Sequence, residues 1–144
     1  MNQFVECLKK APVLAALKEE HLEMMAKLAT QRNFKEGEVI IKQGAPGSGL
    51  FVILSGTVTV TSKPRSGLHS SPLNNLGKGE FFGELSLLDG HPRSATVTAA
   101  SETEVIELNR WVFLDALRKE PTIAVAMLPV LVSRIRRLQE ITNS

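Results

Sequence analysis

The stretch Phe81-Phe82-Gly83-Glu84-Leu85-Ser86-Leu87-Leu88-Asp89-Gly90-His91-Pro92-Arg93-Ser94-Ala95-Thr96-Val97 is the most informative part of this 144-residue chain. Gly83 permits a close backbone approach or an unusual φ. Glu84 through Leu88 predicts one or two helical turns, ended by Asp89-Gly90. The first amide N–H groups of such a turn lack intrahelical partners and suit an anion. Arg93 follows the Gly90/Pro92 turn and is placed to fold back toward the same helix start. A guanidinium beside open N–H groups is a phosphate site in concept. Glu84 would be repelled by that phosphate unless it accepts hydroxyl protons from a sugar. One carboxylate for a ribose and one arginine for its phosphate describe a nucleotide.

Upstream, Phe34, Val39, Ile40, Ile41, Phe51 to Leu54, Val58 and Val60 are β-branched or apolar, and Gly37, Gly44, Gly47, Gly49 and Gly56 punctuate them. Thr57 to Thr61 alternates strictly, as a strand with one wet face does. Lys63 to Pro72 predicts an exposed hairpin tip, and strand signals return at Ala95–Ala100 and Glu104–Leu108. Many short strands with glycine-rich turns argue for a sandwich or barrel over a parallel α/β sheet. Helical spacing frames this middle. Phe4, Val5 and Leu8 mark a first helix, Pro12 and Val13 a break, and Leu22, Met25, Leu28 and Ala29 a second helix. Asn109 is a good N-cap for a helix bearing Trp111, Phe113, Leu114 and Leu117. Pro121 then opens a final helix, where Leu128, Leu131, Ile135 and Leu138 form a short seam of heptad type. A single domain is expected: helices in 1–29, a barrel in 30–108 with the decisive stretch at 82–97, and closing helices in 109–144.

Composition narrows the class. Hydrophobic residues at 43% and charged residues at 22% are an ordinary globular balance, and a net charge of +2 is too weak a bias to argue for direct nucleic-acid binding. The single cysteine, Cys7, forms no internal disulfide and reads as a small buried apolar group. Lys9, Lys10 and Pro12 interrupt the only apolar stretch near the start, so no signal peptide is predicted. No apolar run approaches the ~20 residues that span a bilayer. A cytoplasmic setting is the expectation. His21, His69 and His91 show no spaced His/Glu set on strands, so no metal site is predicted and all three are expected at the surface. Nothing suggests a nucleophile, and no enzyme is expected.

The run Phe82-Gly83-Glu84-Leu85 followed by Pro92-Arg93-Ser94-Ala95-Thr96-Val97 resembles the phosphate-binding cassette of the cyclic-nucleotide-binding family. That family includes the bacterial catabolite activator protein, the regulatory subunits of protein kinase A and cyclic-nucleotide-gated channels. Ile41-x-x-Gly44-x-x-Gly47 and Phe51-x-x-x-x-Gly56-x-Val58-x-Val60 are similar to its glycine-marked barrel strands, and Asn109 to Ser144 to its two closing helices. The resemblance implies an α+β fold, a β jelly-roll barrel flanked by N-terminal helices and two C-terminal helices. It implies a ligand, cAMP or else cGMP, and no cofactor. Glu84 should accept from the ribose 2′-OH, Gly83, Leu85 and Ser86 should line the ligand mainly through backbone, and Arg93 should pair with the exocyclic phosphate oxygens. Ser94 and the Ala95 N–H should finish the cradle. Val60 and Leu76 would form an apolar wall, and Leu131, Arg134 and Ile135 of the last helix a lid over the base.

A hydroxyl after the cassette arginine can help hold guanine, and Ser94 supplies one. The catabolite activator protein also has a serine there and prefers cAMP, so cAMP is the expectation. The resemblance further implies that the bound nucleotide draws in the last helix. A homodimer through Leu128, Leu131, Ile135 and Leu138 is plausible, and the effector region that family members often carry is expected outside this chain. The competing reading is a degenerate, ligand-free barrel that serves as a dimerisation or interaction module.

Overall fold

A computed structural model describes residues 3–63 and 71–143. Three short helices open the chain: α1 (Gln3–Leu8), α2 (Pro12–Ala15) and α3 (Glu19–Leu28). Pro12 does not simply break the chain. It sits in the first turn of α2, where its missing N–H costs nothing, and Val13 beside it is fully buried. Among the described residues eight strands follow, interrupted by one short helix: β1 (Thr30–Phe34), β2 (Val39–Ile41), β3 (Gly49–Ser55), β4 (Thr57–Ser62), β5 (Ser71–Gly77), β6 (Phe81–Phe82), α4 (Glu84–Asp89), β7 (Thr96–Ala99) and β8 (Thr103–Asn109). Two helices close it, α5 (Arg110–Lys119) and α6 (Thr122–Asn143).

The strands form two antiparallel four-stranded sheets in the orders β1-β8-β3-β6 and β2-β7-β4-β5. This is the expected jelly roll with helices at both ends. Pro72, expected in the hairpin tip, lies within β5, which begins at Ser71; the rest of the tip, with His69, falls outside the described residues.

Two apolar clusters hold the layers together, and β3 serves both. Phe51 and Ile53 point into the barrel with Phe34, Ile40, Val58, Phe82, Val97, Ala99 and Val105. Leu50, Val52 and Leu54 point the other way, onto a helical core that includes Leu8, Leu14, Leu22, Phe113 and Ile123. That is why Leu50 to Leu54 reads as an unbroken apolar run: a strand covered on both faces has no wet side to alternate with. Phe51 stacks on its cross-strand partner Phe82 with ring centroids 5.1 Å apart.

His21 departs from its expected surface position. It is buried, with Nε2 3.9 Å from the Glu20 carboxylate. A histidine on a charged helix reads as a surface residue, but here it lines a hollow with Glu120, just after α5, and Thr122, the first residue of α6.

The α6 seam also differs from its sequence reading. Leu131 is half-buried against the helical core, whereas Val125, Leu128, Val132 and Ile135 are exposed at three-four-three spacing. Leu138 is exposed as well. The exposed stripe is therefore displaced from the sequence seam by part of a turn. Pro129 lies inside α6 on an exposed stretch, where water can satisfy the carbonyl that loses its helical partner. No helix among the described residues is long and apolar enough to cross a membrane.

Candidate functional site

The decisive stretch wraps around α4 as its sequence suggests. Gly83 precedes the helix at φ 82°, a left-handed value that costs a side chain but not glycine. A β-carbon there would lie 2.5 Å from Arg93 Nη1 and 2.6 Å from the Gly49 carbonyl oxygen. Glycine thus serves both the bend and the approach of the arginine. The turn after α4 is tied by its own side chains: Asp89 Oδ1 accepts from His91 N at 2.9 Å, and Ser86 Oγ donates to the His91 carbonyl at 3.1 Å. The chain between β2 and β3 braces it from outside. Gly44 N donates to Arg93 O, and Arg93 N to Ala45 O, both at 2.8 Å.

Arg93 is 4% exposed, although it carries a full charge. Its Nη2 donates to the Gly49 carbonyl at 2.8 Å, and its Cζ stands 5.9 Å from the Phe51 ring centroid. Nε and Nη1 are buried without a hydrogen-bond partner among the described residues. Burial pushes its pKa down from the ordinary arginine value, the Glu107 carboxylate opposes that, and a guanidinium stays cationic at neutral pH. A buried cation with two open donors is a costly arrangement unless an anion joins it.

Beside Arg93 opens a cavity of about 500 Å³, within the usual range for small-molecule sites. Gly83, Glu84, Leu85, Ser86, Arg93, Ser94 and Ala95 all line it, as does Val60. Glu84 is 5% exposed; one carboxylate oxygen pairs with Arg134 of α6, and the other faces the Val13 N–H at 3.5 Å. Arg134 therefore reaches the cavity rim from the last helix. Leu131 and Ile135 do not line the cavity: the first packs on the helical core and the second is exposed. Leu76 does not line it either. Its register partner is Val58, whereas the cavity floor is the rung Ile41–Val97–Val60, two residues along.

Sequence reasoning did not single out Ile41 and Val97 as lining residues. Both stand in the quoted motifs, Val97 at the end of the cassette and Ile41 at the start of a barrel strand motif, but what brings them under the cassette is sheet register across separations that no local pattern encodes. Among the described residues no group of His, Cys, Asp and Glu side chains has the proximity to hold a metal ion.

Comparison with known proteins agrees with this geometry. A profile of the family described as cyclic nucleotide-binding domain matches residues 31–120. A cAMP-dependent protein kinase regulatory subunit from Dictyostelium discoideum is similar at 36% identity over 109 residues, covering 74% of this chain and 33% of that protein. A cyclic AMP receptor protein from Thermus thermophilus is similar at 33% identity over 129 residues, covering 90% of this chain and 59% of its own. The chain thus spans a third of the first relative and under two thirds of the second. Among solved structures, the N-terminal domain of a transcriptional regulator from Streptomyces coelicolor A3(2) has a TM-score of 0.83 at 29% identity, covering 93% of this chain and 95% of that one. Cassette, sheet order and profile match converge on one assignment: this chain belongs to the cyclic-nucleotide-binding domain family.

Proposed function

We propose that this chain is a sensor that binds cAMP in preference to cGMP in the cavity beside Arg93, and that α6 moves with occupancy. The observation that carries the reading is the buried Arg93 guanidinium, with Nε and Nη1 unpaired at the wall of a nucleotide-sized cavity. A cyclic phosphate carries one negative charge and accepts from both donors, which offsets the cost of burying that cation. Glu84 then takes the ribose 2′-OH, and the Ile41–Val97–Val60 rung offers apolar surface to sugar and base. Ser94 and Ala95 complete the phosphate cradle. Preference for cAMP is supported by the names of the two relatives above.

Movement of α6 is supported by Arg134, the one lid candidate at the cavity, which shares its carboxylate partner with the proposed sugar contact. A ligand that engages Glu84 changes what holds α6, so occupancy and helix position are linked through differential contacts. The role is regulatory rather than catalytic, needs no cofactor and fits a cytoplasmic protein. The exposed Val125–Leu128–Val132–Ile135 stripe suits a second copy of the chain, and an effector would lie outside these residues. Calorimetric titration and thermal shift with cAMP, cGMP and AMP test the reading. Binding should follow the order cAMP, cGMP, AMP. A chain that responds to none of them is the ligand-free interaction module instead.

A further inference from the structure

The turn that follows α4 brings a histidine to the rim of the cavity. His91 lines it together with Asp89, Arg93 and Ser94. Its main chain is pinned on both sides, since Asp89 Oδ1 accepts from its N–H and Ser86 Oγ donates to its carbonyl. A β-carbon at Gly47 would lie 2.4 Å from the same carbonyl oxygen, so the chain between β2 and β3 backs it closely. The ring is oriented as well, with Nδ1 2.9 Å from the Pro92 carbonyl oxygen. A carbonyl only accepts, so Nδ1 carries a hydrogen and the neutral ring keeps a bare lone pair at Nε2. Nε2 makes no hydrogen bond among the described residues. Protonation therefore turns one atom, Nε2, from acceptor to donor without asking the ring to move.

Histidine is the side chain whose unperturbed charge change falls between about pH 5 and 8. Among the described residues, His91 is the only histidine on the cavity. Asp89 and Glu84 of α4, Arg93 of its own loop and Arg134 of α6 share the cavity with it. Arg110 of α5 packs against Gly90 behind the turn, and the chain at its back carries no charged side chain from Gln43 to Ser48. We propose that protonated His91 is a further phosphate-binding residue, its Nε2–H adding to the two open donors of Arg93, so that the chain holds its nucleotide more tightly as pH falls. The proposal rests on the reading of the cavity as a cyclic-nucleotide site. A cyclic phosphodiester keeps its single negative charge over this range. Neutral His91 therefore sets a lone pair against an anion, and protonated His91 sets a donor and a charge.

Calorimetric titration of cAMP at pH 8 and pH 6 tests it on the parent chain, His91→Gln and His91→Arg. His91 is exposed, so the gain is modest: the parent Kd should tighten about two- to threefold at pH 6. At an intermediate pH, two buffers of different protonation heat should show that the parent takes up a fraction of a proton with cAMP. His91→Gln should bind as the parent does at pH 8, with neither pH dependence nor proton uptake. His91→Arg carries a fixed cation and should hold the tighter Kd at both pH values. Both substitutions spare the contacts that pin the turn, which are made to main-chain atoms, and His91→Arg decides the matter if His91→Gln fails to fold. A parent Kd that is the same at both pH values overturns the role of His91 and leaves the nucleotide site standing. So does a folded variant that keeps the parent's pH dependence. A parent chain that gives no heat with cAMP at either pH overturns the nucleotide reading, and this proposal with it.

Discussion

Replacing Arg93 with methionine should separate binding from folding. The native side chain ties the cassette to Gly49 through one hydrogen bond, worth about 1.5–3 kcal/mol for a charged donor. Against that stands a cation buried with Nε and Nη1 unpaired, a burden of several kcal/mol that Glu107 and the Phe51 ring only partly offset. The two effects are comparable, so Arg93→Met should change stability by no more than about 1 kcal/mol, or roughly 4 °C in Tm for a chain of this size. A buried arginine in a closed ion pair would behave otherwise, because breaking such a pair costs about 3–5 kcal/mol. Binding should respond in the opposite way. A cyclic phosphate in the cavity loses its cation, and about 2–5 kcal/mol should go, roughly thirtyfold to a few thousandfold in Kd. Thermal melts without nucleotide and calorimetry with cAMP read the two numbers on one preparation. A variant that is more than about 3 kcal/mol less stable would refute the reasoning, because Arg93 would then be a structural tie. So would a parent-like Kd.

Glu84→Gln should weaken cAMP less than Arg93→Met does, within about tenfold by calorimetry, because an amide carbonyl still accepts from a hydroxyl. Gly83→Ala places a methyl 2.5 Å from Arg93 Nη1 at φ 82°. The left-handed backbone costs about 1–2 kcal/mol and the clash with the Gly49 carbonyl oxygen adds to it, so Tm should fall by the equivalent of at least about 2 kcal/mol and cAMP affinity by at least about tenfold. Asn109→Ala removes the acceptor for Trp111 N and Val112 N and should cost about 1 kcal/mol by urea denaturation, with cAMP affinity unchanged. Val132→Glu puts a charge in the middle of the exposed α6 stripe; sedimentation velocity should show dimer in the parent and monomer in the variant.

The cassette was readable because its chemistry is local. Gly83 and Gly90 bracket α4 at left-handed φ, and both the helix and the return of Arg93 lie within eleven residues of one another. Asn109 was readable for the same reason, since a cap acts within one turn. Contacts between distant segments were not readable. The Ile41–Val97–Val60 floor depends on register between three strands, and Leu76 was misplaced because one rung of the sheet separates Val58 from Val60. Pairing of Glu84 with Arg134 joins residues 50 apart, and helical periodicity left Leu131 and Ile135 as equal candidates until α6 was docked. His21 failed likewise: burial of a polar residue depends on which segment covers it, not on its own helix.

Strand β3, sandwiched between two interiors, has an unusual alignment problem. In a half-wet strand a one-residue slip throws greasy side chains into solvent and corrects itself. Here a slip would merely trade Phe51 and Ile53 for Leu50, Val52 and Leu54, apolar for apolar. Shape must police the alignment instead: the Phe51 ring has a matching stack at Phe82 on the barrel side, and a slip would take it off that partner. Swapping Phe51 for leucine would blunt that safeguard, and the penalty would surface as misaligned, slowly maturing chains as much as in the melting point of those that fold.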